Sequence, residues 1–308
     1  MARFTAPEIS LVVVALLSAA SLALSAAPAE EAAAAPKTSK NPLLAQGWQE
    51  MRYANHPKAQ KAFEGALART TDRQEQAEAT FGLALLWQSR PSGTDLPRAV
   101  RLYEQVAEEF GDTKSAPWAL LALARLDDLP EYEKDRQVES ARAKYRRILK
   151  TWPDHPAADE AALRLAQTYL EKVGEKASED QGVAILKDWL ARRPDNVMAA
   201  VMHWHLGGLY KLRQQYRLTL DHWAAADKAG IPGTEVRAML CLSAGYIAEH
   251  KLKDYPLAIT WYEKITKEIV RDDRYYVAKM WADDCRKKAA AATSGPAATG
   301  PAAGGEAR

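Results

Sequence analysis

A large apolar or aromatic residue returns six times along this 308-residue chain, as Phe63, Tyr103, Tyr145, Leu186, Trp223 and Tyr262, at intervals of 40, 42, 41, 37 and 39. Four residues before each stands a small or slim one: Ala59, Ala99, Ala141, Gly182, Thr219 and Ala258. Four residues make about one helical turn, so each pair shares a helix face. A period this long exceeds one helix and fits a helical hairpin, and repeated hairpins bury their faces against neighbours rather than in one central core. No run with strand alternation interrupts the pattern, and Gly and Pro fall mostly in turns. The expected fold is all-α, a solenoid of about six helical hairpins.

The ends lie outside the period. Arg3 precedes an uncharged stretch from Ile9 to Ala29 whose apolar heart is Leu11–Leu17, and Ser25-Ala26-Ala27-Pro28-Ala29 follows with small residues. This reads as a signal peptide over residues 1–29, cut after Ala26 or Ala29, with an uncleaved membrane anchor as the alternative. Residues 30–43 read as an Ala/Pro-rich linker, 44–288 as the repeat domain and 289–308 as a tail too rich in Ala, Gly and Pro to offset its chain entropy. Export to a periplasm is the expected location, with an inner-membrane tether as the alternative. Cys241 and Cys285 fall in helical stretches at different repeat positions and read as buried free thiols, with a disulfide between them as the alternative in an exported chain. Basic and acidic residues nearly cancel, 42 against 40, which argues against a nucleic-acid partner.

The clearest unit runs from His203 to Gly230. Leu206-Gly207-x-x-Tyr210 puts a large, a small and an aromatic residue on one face, and a polar turn follows over Lys211–Gln215. A second helix then carries Thr219, Leu220, Trp223 and Ala226, and Gly230 and Pro232 stop it. The small residue lets the helices approach and the aromatic plugs the gap between them.

This pattern resembles the tetratricopeptide repeat. Leu206, Gly207 and Tyr210 match that family's first helix, and Thr219, Trp223 and Ala226 its second, with Thr in place of the usual Ala. Other first helices carry Phe81-Gly82-x-x-Leu85, Leu121-Ala122, Leu165-Ala166-x-x-Tyr169, Leu242-Ser243-x-x-Tyr246 and Val277-Ala278-x-x-Trp281; only Phe63 lacks a recognisable first-helix motif before it. The segments Asp95–Glu104 and Asp254–Glu263 echo each other, each with Pro near the first helical turn. Polar insertions at Gln88–Asp95, Asp127–Asp135 and Glu171–Glu179 lengthen the units beyond that family's usual size. Trp152-Pro153-Asp154-His155-Pro156 is similar to units of bacterial envelope proteins of this type.

The resemblance implies a right-handed superhelix whose concave surface, made by first helices, binds a peptide or protein segment. Carried over by position, that face holds Leu123, Leu163, Gln167, Trp204, Gly208, Lys211, Arg237, Ala244 and Ile247. An apolar groove with a central Trp and a few basic groups suits an aliphatic partner segment carrying an acid. The implied role is an interaction scaffold in an envelope complex, without catalysis, cofactor or metal, and with membrane contact only through an uncleaved N-terminus. The rival reading is a carbohydrate-binding or enzymatic solenoid.

Groups that invite chemistry have simpler readings. His203-x-His205, with His222 on the next helix, puts two histidines on different faces where paired ligands want four-residue spacing. The acid pairs Asp127-Asp128 and Asp283-Asp284 read as solvated faces.

Overall fold

The computed structural model describes residues 41–89, 93–129, 135–171 and 174–293; the signal-peptide stretch, most of the linker and residues 294–308 lie outside them. The described residues form thirteen α-helices and no strand. In order these are α1 (Pro42–Arg52), α2 (His56–Leu67), α3 (Arg73–Ser89), α4 (Leu96–Glu109), α5 (Ala116–Asp128), α6 (Val138–Thr151) and α7 (Pro156–Leu170). They continue as α8 (Lys176–Arg192), α9 (Ala199–Leu212), α10 (Tyr216–Ala229), α11 (Thr234–Tyr246), α12 (Tyr255–Glu268) and α13 (Tyr275–Thr293). Neighbouring helices pack in pairs, so hairpins repeat along the chain. The chain divides into two compact units within α7, between Ala161 and Ala162.

Caps written into the sequence start several helices. Asn41, Asp95 and Asp254 accept hydrogen bonds from the backbone N–H of Leu43, Arg98 and Leu257 at 3.0, 3.0 and 3.2 Å. Each is followed within two residues by Pro, whose missing N–H has no partner to lose there. The two echo segments therefore begin their helices in the same way. Asn41 and Pro42 also start α1 inside the stretch read as linker, and α13 runs through Ala289–Ala292, because alanine is the best helix former. Gly230 ends α10 in the left-handed conformation, φ 89°.

All six periodic residues are buried, as are the six small residues four positions earlier. Three of the rings, Phe63, Trp223 and Tyr262, act as plugs against glycines of first helices. In the first unit, Phe63 on α2 is held between Gly47 of α1 and Gly82 of α3: a Cβ on either glycine would lie 2.5 or 2.6 Å from a ring carbon. Phe63 thus has a first-helix partner after all. Its helix went unnoticed because α1 lacks the large residue just before its glycine and offers Trp48 just after it. In the second unit a Cβ on Gly207 would collide with the Trp223 indole, and one on Gly245 with the Tyr262 ring.

The glycine-to-plug separation is 16 residues for Gly47–Phe63 and for Gly207–Trp223, and 17 for Gly245–Tyr262. The extra residue coincides with a π-helical turn over Ile247–Lys251, where wider i→i+5 bonding takes up one residue. This corrects the expected register of α11. The inward residues are Cys241, Ala244, Gly245, Ile247 and Ala248, whereas Leu242 and Ser243 are half-buried and Tyr246 is exposed. Aligning Leu242-Ser243-Tyr246 with Leu206-Gly207-Tyr210 had shifted the helix by two positions.

A buried phenol needs an acceptor, and each tyrosine plug has one from its own first helix or the turn that follows it. Tyr103 donates to Gln88 at 2.7 Å, Tyr145 to Asp128 at 3.2 Å and Tyr262 to Glu249 at 3.0 Å. Asp128 is therefore buried and bound by Arg136, contrary to its reading as a solvated acid, while Asp127 pairs with Lys144. Cys241 and Cys285 are buried free thiols, both pushed up to about 12 by burial.

Polar links join successive hairpins at a repeat-like sequence distance. In the first unit, Arg147 pairs with Glu108 and the Trp152 indole donates to the Gly111 carbonyl at 3.2 Å. In the second, Arg213 pairs with Glu179, and Lys264 with Asp227. Burial works against ionised Asp227, but Arg237 and Lys264 outweigh it and hold the carboxyl below its usual range.

Candidate binding face

Nine residues were expected on the first-helix face, and the structure sorts them. Leu123 is buried on α5 of the first unit; Leu163 is buried at the start of the second. Ala244 and Ile247 lie in the second unit's core, so the register shift on α11 removes them from any accessible face. Arg237 is engaged by Asp227 at 2.5 Å and by Glu268 at 2.5 Å. Gln167 places its amide nitrogen 3.0 Å from Nε2 of buried His205. With that amide donating, the ring proton of His205 is on Nδ1.

Trp204, Gly208 and Lys211 remain, and they form one stripe on α9 at steps of four and three residues. Trp204 is half-buried, with its ring packed on the second unit's core and its carbonyl accepting the Trp223 indole N–H at 3.4 Å. Gly208 has open space where a side chain would stand. Lys211 is an exposed residue whose ammonium lies 5.7 Å over the Trp223 ring, and desolvation by its surroundings lowers its pKa.

Aligning the units through Gly207 and Gly245 makes Leu242 the equivalent of Trp204, and Tyr246 the equivalent of Gly208. Leu242 packs half-buried on the same core as Trp204, and Tyr246 is 44% exposed, stacked on His250 at 4.2 Å. These two residues were missed as face residues. Counting back from the plugs would have found them: Gly245 stands 17 residues before Tyr262, as Gly207 stands 16 before Trp223.

The three histidines that invited a metal reading do not converge. His203 and His222 meet at Nδ1···Nδ1 2.9 Å, one donating to the other, with the Tyr210 ring stacked on His222 at 5.3 Å. His205 turns instead to Gln167. Burial, then the neighbouring His203 and Lys187, pull His222 down to about 4, and burial together with Arg164 does the same to His205. The arrangement is a set of neutral packing imidazoles.

Compared with known proteins, the chain matches no family model and no curated protein. Among the described residues, no helix is long and apolar enough to cross a membrane.

Proposed function

We propose that this chain is an exported interaction protein of the tetratricopeptide type, and that its α9–α11 face holds a peptide or protein segment of an envelope partner. One observation carries the reading. In the second unit the glycine sides of α9 and α11 are spent on plugs, while Trp204 and Leu242 stay half-buried and Gly208 and Tyr246 stay open at repeat-equivalent positions. A ring seated on the core, with free space one turn further on, suits an apolar side chain of a partner, and Lys211 at the end of the stripe suits an acid. The recurring glycine-to-plug spacing supports the family resemblance. The Ile9–Ala29 stretch supports export.

The test is affinity capture from envelope extracts with the wild type and with Trp204→Ala and Tyr246→Ala, each checked for unchanged thermal melting. Loss of the same partner from both variants is the expected result. Equal recovery by all three overturns the assignment of this face. The intact mass of the exported chain tests cleavage: a mass that still includes Met1 makes it a tethered protein.

A further inference from the structure

We propose that α13 is a self-association surface, and that a second copy of this chain packs antiparallel on it. The inward side of α13 is Ala278, Ala282 and Cys285, all buried, with Trp281 edge-on to the Tyr262 plug at 5.6 Å. Two residues round the helix, Tyr276, Met280, Asp283 and Lys287 recur at steps of four, three and four and make a stripe on the opposite side. Tyr276 is 80% and Met280 59% exposed, and with Val270 and Val277 they gather four exposed large apolar side chains between residues 270 and 280. An open depression on this side is lined by Tyr276, Lys279, Met280, Asp283 and Lys287. Among the described residues no element follows α13, whereas every earlier first helix is succeeded by one that supplies a plug.

Charge identifies the occupant. Tyr276, Lys279, Asp283 and Arg286 all lie on one flank of Met280. Across a two-fold axis normal to two antiparallel helices, residues of the same flank meet. With the axis level with Trp281, Met280 packs near its own copy, Lys279 meets Asp283 of the second copy, and the Arg286 guanidinium covers Tyr276 of the second copy. Each contact occurs twice, so the flank complements itself. Lys279, Asp283 and Arg286 are all exposed in the single chain; Arg286 is held by Asp283 along the helix and by Glu263 of α12, and Asp283 keeps a carboxylate face open to a second cation. One helix face is a small interface, so the association is weak and concentration-dependent.

Sedimentation velocity of the purified chain over a wide concentration range reads the outcome. Wild type is expected to gain mass with concentration. Lys279→Asp and Asp283→Lys alone each set like charges opposite one another twice and weaken association by at least about tenfold. An equimolar mixture of the two variants restores opposite charges at both contacts and recovers it. Both positions are exposed, so unchanged melting confirms that the variants fold. Wild type that stays monomeric throughout overturns the proposal. So does either variant associating like wild type, or a mixture no better than its components. Because α13 is outside the α9–α11 face, the capture experiment and this one fail independently.

Discussion

Gly207 and Gly208 are adjacent on one helix and answer to opposite constraints. A methyl at Gly207 would collide with the Trp223 indole and press on the Thr219 carbonyl at 3.1 Å; one at Gly208 meets nothing within 4 Å. Gly207→Ala should therefore cost about 1–3 kcal/mol of stability, as overpacking does. Gly208→Ala should be neutral or add up to about 1 kcal/mol through helix propensity. Urea unfolding of the two variants side by side checks the register of α9. His205 sets a pH dependence. Burial, with Arg164 nearby, holds its folded pKa at about 4, below the ordinary 6.5, so the unfolded chain takes up the proton more readily. Its contribution is complete above the ordinary value and is lost as the pH falls from there toward 4. At about pH 5 the loss is about 2 kcal/mol. His205→Gln should remove that part of the fall between neutral pH and pH 5, measured as the change in urea midpoint. The plugs and their small partners were legible from spacing alone, because size complementarity at one-turn separation leaves a periodic trace. The phenol acceptors Gln88, Asp128 and Glu249 were not, because the distance from acceptor to ring varies from unit to unit.

At the scale of the helix, the caps and the π turn set what can be read. Asp95 and Asp254 each satisfy an otherwise unpaired backbone N–H at a helix start. Asp95→Ala and Asp254→Ala should each lower stability by about 1 kcal/mol, and similar losses in thermal melts would show that the two echo segments are equivalent. Their helices were visible because cap, Pro and plug sit at fixed offsets. α11 was misread for the opposite reason. Its π turn adds one residue between glycine and plug without any signature in composition, and Leu242-Ser243-Tyr246 imitates the large-small-aromatic motif two positions early. That shift moved Ala244 and Ile247 on to the candidate face and hid Tyr246. α1 escaped notice because its glycine is followed, not preceded, by its large residue.

For the whole chain, helices pack chiefly on sequential neighbours, within two units divided inside α7. In such an arrangement stability is built from local hairpin interfaces, and a lesion is felt first where it is made. Phe63→Ala and Trp223→Ala should each cost about 3–5 kcal/mol locally. Hydrogen exchange should show α1–α3 losing protection in the first variant and α9–α11 in the second, with the other unit spared. Equal loss along the whole chain in both would mean that the two units unfold as one.

The Phe63 ring between Gly47 and Gly82 has a consequence for how this chain can drift over generations. Three positions spaced 16 and 19 residues apart are tied by a single volume. Neither glycine can grow unless the ring shrinks, and a smaller ring leaves a void unless a glycine grows, so the three must change together or stay fixed. The solvent-facing helix surfaces between them carry no such tie and are free to scramble. Distant kin of this protein would then keep this glycine–ring–glycine triplet in step while the surface residues between its members diverge, and a search tuned to the triplet and its spacing rather than to runs of identity is suited to finding them.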